Sequence, residues 1–273
     1  MITRWPAASS AAACLPNSMA RKGWMDWARR ETCMAEGGEQ GGRPPFSALA
    51  GRCGVTRYNG RGVATSRRKE EKGVTMAQRV FVWAAHPRAG SLSEGLAEAY
   101  AGGAQEAGAE VRVLKLSEMA FDKGGFAGYG HANAPLEPDL QRWQEAMTWC
   151  DHMLWVHPYW WGAMPAQAKA VLDRALTPGF GFKYRAQGLM WDKLLSGRTA
   201  DVIITSDTPP LWDRLVFGLP GRRVLKNQVL GFCGIRCRSV VQWGPVKTAS
   251  PQKVAGWLDQ ARAMGVAAAR RSA

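Results

Sequence analysis

From Arg79 onward, short apolar runs alternate with longer stretches of helical spacing, and no other feature restricts the fold as strongly. Arg79–Ala85 reads as a strand buried on both faces, and Glu110–Leu116 as a second strand with alternating character. Met153–Val156, Asp201–Thr205 and Arg238–Gln242 supply a third, fourth and fifth. Between them lie predicted helices over Leu92–Ala107, Pro138–Cys150, Pro165–Leu176 and Pro220–Phe232, and Pro251–Ala269 closes the chain. Proline suits a first helical position, where its missing N–H would be unpaired anyway. Strand–helix alternation implies parallel strands joined by right-handed crossovers. The expectation is an α/β three-layer sandwich around a five-stranded parallel sheet in the order 2-1-3-4-5, its ligand crevice at the carboxyl ends of strands one and three.

The first 75 residues do not share this pattern. They lack sustained periodicity, and Gly37–Pro45 has a plain loop composition. They hold 13 Lys/Arg against 6 Asp/Glu, so half of the formal net charge of +14 falls on about a quarter of the chain. The remaining basic residues are scattered, without a compact run interleaved with aromatics. That favours a solvated basic surface over nucleic-acid binding. Arg67–Gly73 can be encoded by purine-rich codons and Met76 follows closely, as a ribosome-binding site followed by a start codon would look if translated. The expected organisation is residues 1–75 as an artefactual or disordered extension and residues 76–273 as one domain. Intact-mass analysis of the native protein tests this.

No apolar run approaches the ~18 residues needed for a bilayer span. Cys14, Cys33, Cys53, Cys150, Cys233 and Cys237 show no zinc spacing, and Cys233 and Cys237 have three residues between them and no second pair. Reduced thiols in a cytoplasmic protein are the expected state.

Three loops leave the carboxyl ends of predicted strands. The first, His86-Pro87-Arg88-Ala89-Gly90-Ser91-Leu92-Ser93, runs into a helix. First-turn amides with Ser hydroxyls make a phosphate cradle, although Ser91 also fits as a simple N-cap. The second is Pro158-Tyr159-Trp160-Trp161-Gly162-Ala163-Met164-Pro165. Three successive aromatics cannot all point inward from an extended segment, which favours a flat ligand over core packing alone. The third, Thr205-Ser206-Asp207-Thr208-Pro209-Pro210, serves equally as a rim or as a plain turn. His157 is expected to be a packed neutral histidine. Lys123–Pro135, with Tyr129 and His131, reads as a lid or a surface loop.

Together these residues resemble the flavodoxin-like NAD(P)H:quinone oxidoreductase family, which includes DT-diaphorase and the modulator of drug activity B. The segment Pro158–Arg174, with its Pro–aromatic–Trp start, Pro-initiated helix and terminal Asp173-Arg174, carries most of the likeness. Gly179–Tyr184 and the His86-Pro87 loop add to it, and residues 1–75 have no part in it. The resemblance implies a tightly bound FAD or FMN whose phosphate is held by His86, Ser91, Leu92 and Ser93. Pro158, Tyr159, Trp160, Trp161 and Gly162 would line the ring, with Thr205, Ser206 and Asp207 on the rim. It also implies NAD(P)H as hydride donor, a quinone-like acceptor and a homodimer with sites near its interface. Ser93 stands where the family commonly has Asn. Asp207–Pro210 replaces a Thr-Thr-Gly-Gly loop, and there the chain is similar to a bacterial subgroup of NAD(P)H-dependent oxidoreductases. The alternative reading is a flavodoxin-like binding or regulatory subunit, for example of a transport system, with little catalysis.

Overall fold

A computed structural model describes residues 77–126, 128 and 135–270. Residues 1–75, Tyr129 and His131 lie outside the described residues, as do Cys14, Cys33 and Cys53. Strands β1 (Arg79–Ala84), β2 (Glu110–Lys115) and β3 (His152–Pro158) are interleaved with helices α1 (Leu92–Glu106) and α2 (Pro138–Trp149). Helix α3 (Ala166–Ala175) is followed by the short strands β4 (Phe182–Tyr184) and β5 (Trp191–Lys193). Strands β6 (Thr199–Thr205) and β7 (Arg236–Trp243) then precede helix α4 (Pro251–Ala269).

The main sheet runs β2-β1-β3-β6-β7 with every pairing parallel. Leaving aside the two-stranded antiparallel β4–β5 sheet, this is the expected order 2-1-3-4-5. Strands β3 and β6 are buried throughout because helices cover both faces, whereas β2 is a mostly open edge. Alternation along β1 divides the core: Val80, Val82 and Ala84 face α1 and α4, and Phe81, Trp83 and Ala85 face α2 and α3. Trp83, Trp143 and Trp155 pack together on the second face, with Trp83 edge-on to each of the others at centroid distances of 5.5 and 5.1 Å. These three tryptophans therefore serve the core and not an exposed surface.

Several element bounds differ from expectation by a residue or two, and Pro165 flanks α3 as its N-cap. The larger departure is Pro220–Phe232. It forms an α-turn over Pro220–Arg223, a π-helical stretch over Val224–Leu230 and a last α-turn over Gly231–Cys233. Its buried Leu225 and Leu230 stand five residues apart, a spacing that an i→i+5 turn puts on one side. The crossing after β2 is pinned by Arg174, whose buried guanidinium donates to the carbonyls of Asp122 and Pro135 and to the Glu137 carboxylate at 2.8 Å. That pairing holds the Glu137 carboxyl at about 2.

Candidate functional site

The carboxyl ends of β1, β3 and β6 and the loop after β7 enclose a cavity of about 500 Å³. The β1 loop supplies His86, Pro87, Arg88, Ser91, Leu92 and Ser93. Local chemistry shapes it. Gly90 adopts φ +67°, in the left-handed region that favours glycine, and its amide donates to Glu94 at 2.8 Å. Ser91 caps α1 by accepting from the Glu94 amide at 3.4 Å. Its hydroxyl oxygen thus serves the helix start, on a residue that also lines the cavity. Ser93 differs: the residue lines the cavity, and its buried hydroxyl closes no hydrogen bond among the described residues. At a helix N-terminus, where first-turn N–H groups lack intrahelical partners, that donor set suits a phosphate.

His86 accepts from the Arg88 amide through Nδ1 at 3.0 Å, so its proton sits on Nε2. Burial, with the Arg88 charge, lowers its pKa and favours the neutral ring. The imidazole stands edge-on to Trp160 at 5.5 Å.

The β3 loop closes on itself. Trp160 and Ala163 exchange amide–carbonyl hydrogen bonds of 2.8 and 3.0 Å. The two residues between them, Trp161 and Gly162, have φ of +52° and +75°. Two left-handed central residues make a type I′ turn, a geometry that suits Gly162 and strains Trp161. The three aromatics consequently part company. Tyr159 is half-buried against the core, Trp160 is exposed at the cavity edge and Trp161 projects fully into solvent. Pro158, Tyr159 and Trp160 line the cavity; Trp161 and Gly162 do not. His157 is buried, donates through Nδ1 to the Pro158 carbonyl at 2.9 Å, and burial lowers its pKa to about 4.

Thr205, Ser206 and Asp207 complete the rim, held to the loop after β7. The Val246 amide donates to the Ser206 carbonyl at 3.0 Å, and the Lys247 amide donates to Asp207 at 2.7 Å. These bonds bring Val246 and Lys247 onto the cavity wall, which sequence reasoning missed. Only sheet order places their loop beside Ser206. Arg88 and Lys247 are exposed and give the mouth two cations against the one carboxylate of Asp207.

Among the described residues, no cluster of three or more His, Cys, Asp or Glu could hold a metal ion. None of the described helices is long and apolar enough to cross a membrane.

Known proteins share this architecture. A ribosyldihydronicotinamide dehydrogenase-like protein of Penicillium crustosum is 28% identical over 121 residues, 38% of this chain and 45% of that protein. The match thus spans less than half of the relative's length. The NAD(P)H:quinone oxidoreductase of Methanothermobacter marburgensis superposes with a TM-score of 0.56 at 22% identity, covering 70% of this chain and 98% of that one. An FMN-dependent NADH-azoreductase of Bacillus anthracis, solved with FMN, gives 0.54 at 17% identity over 71% of this chain and all of that one. At these identities the structural likenesses speak for the fold. Residues 78–264, well over half of the sequence, match the family described by its flavodoxin-like fold, and the chain belongs to that family.

Proposed function

We propose that this chain binds a flavin, FAD or FMN, in the β1–β3–β6 cavity and passes hydride from NAD(P)H to quinones or similar electrophiles. The observation that carries this reading is the orphaned hydroxyl of Ser93, a residue of the α1 N-terminus that lines one cavity with nine other residues expected at a flavin site. A volume of about 500 Å³ lies in the ~300–1,000 Å³ range of small-molecule sites. The names of the structural relatives, a quinone oxidoreductase and an FMN-dependent azoreductase, support the same class of chemistry.

When bound, the flavin would accept and donate hydride. The protein's own residues would supply position and electrostatics. The first-turn amides of α1 and the Ser93 hydroxyl would hold the phosphate, and the His86 Nε2–H would donate beside them. Tyr159 and Trp160 would border the ring and keep water from one side of it. Arg88 and Lys247 would attract anionic cofactors to the mouth. A homodimer and a cytoplasmic setting belong to this reading, with residues 76–273 as its functional domain.

A visible spectrum of the purified protein, with chromatography of the released cofactor, tests flavin binding. NAD(P)H oxidation by a quinone above a free-flavin control tests turnover. The second reading, a binding or regulatory subunit, is favoured by one observation. Pro209 and Pro210 follow Asp207-Thr208 where a loop of amide donors would serve a flavin edge, and proline has no N–H to offer. Flavin binding without turnover would select it.

A further inference from the structure

Glu94 is bonded to the β1 loop through both its backbone and its side chain. Its amide donates to the Ser91 carbonyl at 3.0 Å and to the Ser91 hydroxyl at 3.4 Å. Its buried carboxylate accepts from the Gly90 amide at 2.8 Å and from the Ser117 hydroxyl. Ser117 belongs to the short 3-10 turn Leu116–Glu118 that follows β2. One turn further along α1, Glu98 accepts from Lys115 at 2.7 Å, so the first half of α1 is tied twice to the end of β2. Neither Gly90 nor Glu94 lines the cavity, although Ser91, Leu92 and Ser93 all do.

A helix that begins Ser-x-x-Glu commonly closes a reciprocal pair, in which serine takes the glutamate's amide and the carboxylate takes the serine's amide. Here the second half is displaced by one residue, from Ser91 to Gly90. The left-handed φ of +67° goes with that displacement; space around a notional Cβ is open, so conformation and not crowding favours glycine there. The consequence is a set of free donors. The successive amides of Ser91, Leu92 and Ser93 and the buried Ser93 hydroxyl close no hydrogen bond among the described residues. A carboxylate seated on the Ser91 amide would remove one of them.

We propose that Glu94 is a positioning residue for a phosphate group: by holding the Gly90 amide it fixes the β1 loop and keeps three consecutive amides and the Ser93 hydroxyl uncommitted for one anion. The inference rests on the flavin reading for the identity of that phosphate, but not for the clamp itself. Glycine loses more conformational freedom on ordering than any other residue. Without the clamp, the arriving phosphate would have to order Gly90 as well, and affinity would fall by that cost. Glu94 acts from outside the cavity lining, through the loop and not on the ligand.

The test titrates wild type, Glu94→Ala and Glu94→Gln with FMN and with riboflavin, which lacks the phosphate. Glu94→Ala should lower FMN affinity about tenfold, the effect of one charge-assisted hydrogen bond, and leave riboflavin affinity unchanged. Glu94→Gln, whose side-chain oxygen can still accept from Gly90, should recover most of that loss. An equal loss for both flavins, full FMN affinity in Glu94→Ala, or a Gln variant no better than Ala would overturn the proposal. Should Glu94→Ala fail to fold, Ser117→Ala, which withdraws only the carboxylate's second partner, takes its place with a smaller loss of the same kind. Amide hydrogen exchange of the flavin-free protein gives a second readout. The Gly90 amide should be protected in wild type, and inorganic phosphate should slow exchange at Ser91, Leu92 and Ser93. An unprotected Gly90 amide, or no effect of phosphate on those three, would overturn the clamp. If wild type binds neither flavin, the flavin reading fails, while the exchange profiles still decide on Glu94.

Discussion

The Gly221 amide donates to the Tyr159 hydroxyl at 3.1 Å, and a Cβ at position 221 would run into the same ring. The segment after β6 thus rests directly on the residue that begins the aromatic wall. The Gly162 carbonyl is also close, 2.7 Å from that notional Cβ. Gly221→Ala must displace Tyr159 or the β3 turn. A loss of about 1–3 kcal/mol is expected, the usual range for overpacking, together with weaker flavin binding. Chemical denaturation with flavin titration checks both, and an unchanged variant would show that the wall yields freely.

Ser93→Ala separates stability from binding. The buried hydroxyl has no hydrogen-bond partner among the described residues, so its removal should leave stability unchanged or raise it by about 1 kcal/mol. Flavin affinity should drop, because a hydrogen bond to a charged phosphate contributes about 1.5–3 kcal/mol. Thermal melts of the flavin-free protein and a binding isotherm read the two signs. Equal affinity in both proteins would remove Ser93 from the phosphate site.

Trp161 occupies a left-handed position at a turn tip, fully exposed and outside the cavity lining. Asn tolerates that backbone better, and strain of this kind costs roughly 1–2 kcal/mol. Trp161→Asn is therefore expected to raise stability by about 1 kcal/mol and to leave flavin affinity unchanged. A marked loss of affinity in a titration would instead give Trp161 a place against the ring.

Arg174 is buried and bonded to Glu137 and to two carbonyls of the crossing after β2. Arg174→Met should cost about 3–5 kcal/mol, since it strands polar groups arranged around a buried cation. The sign of the pH effect follows from Glu137, whose pKa falls from 4.5 to about 2. Its contribution is present above 4.5 and is lost as pH falls through about 2. Urea denaturation at a series of pH values should therefore show the stability gap between wild type and Arg174→Met narrowing as pH falls from 4.5 toward about 2, and a constant gap would contradict the pairing.

His157 titrates in a higher window. Burial lowers its pKa from 6.5 to about 4, so the fold prefers the neutral ring. Stability is complete above 6.5 and declines as pH falls toward 4, by at most about 3 kcal/mol. Proton NMR of the imidazole resonances measures this directly. A His157 that titrates near its ordinary value would contradict the burial described.

Local pattern made most of the fold legible. The continuous apolar character of β1 and β3, the Ser250-Pro251 start of α4 and the Ser91 cap of α1 are all signals carried by neighbouring residues. Strands β4 and β5 escaped notice because three residues are too few to show a period of two. The Pro220–Phe232 stretch carried apolar residues at helix-like spacing but left out the π-turns that its buried Leu225 and Leu230 require.

The sequence by itself determined the order of strands and helices, and through it the sheet and the end of the sheet where loops converge. Hydrophobic periodicity is local, so a short window suffices to read it. The tertiary structure decided which side chains share the cavity. It gave Tyr159, Trp160 and Trp161 three different exposures and brought Lys247 to Asp207 from forty residues away. Those outcomes depend on backbone turns and on contacts between strands distant in the chain, where periodicity carries no information.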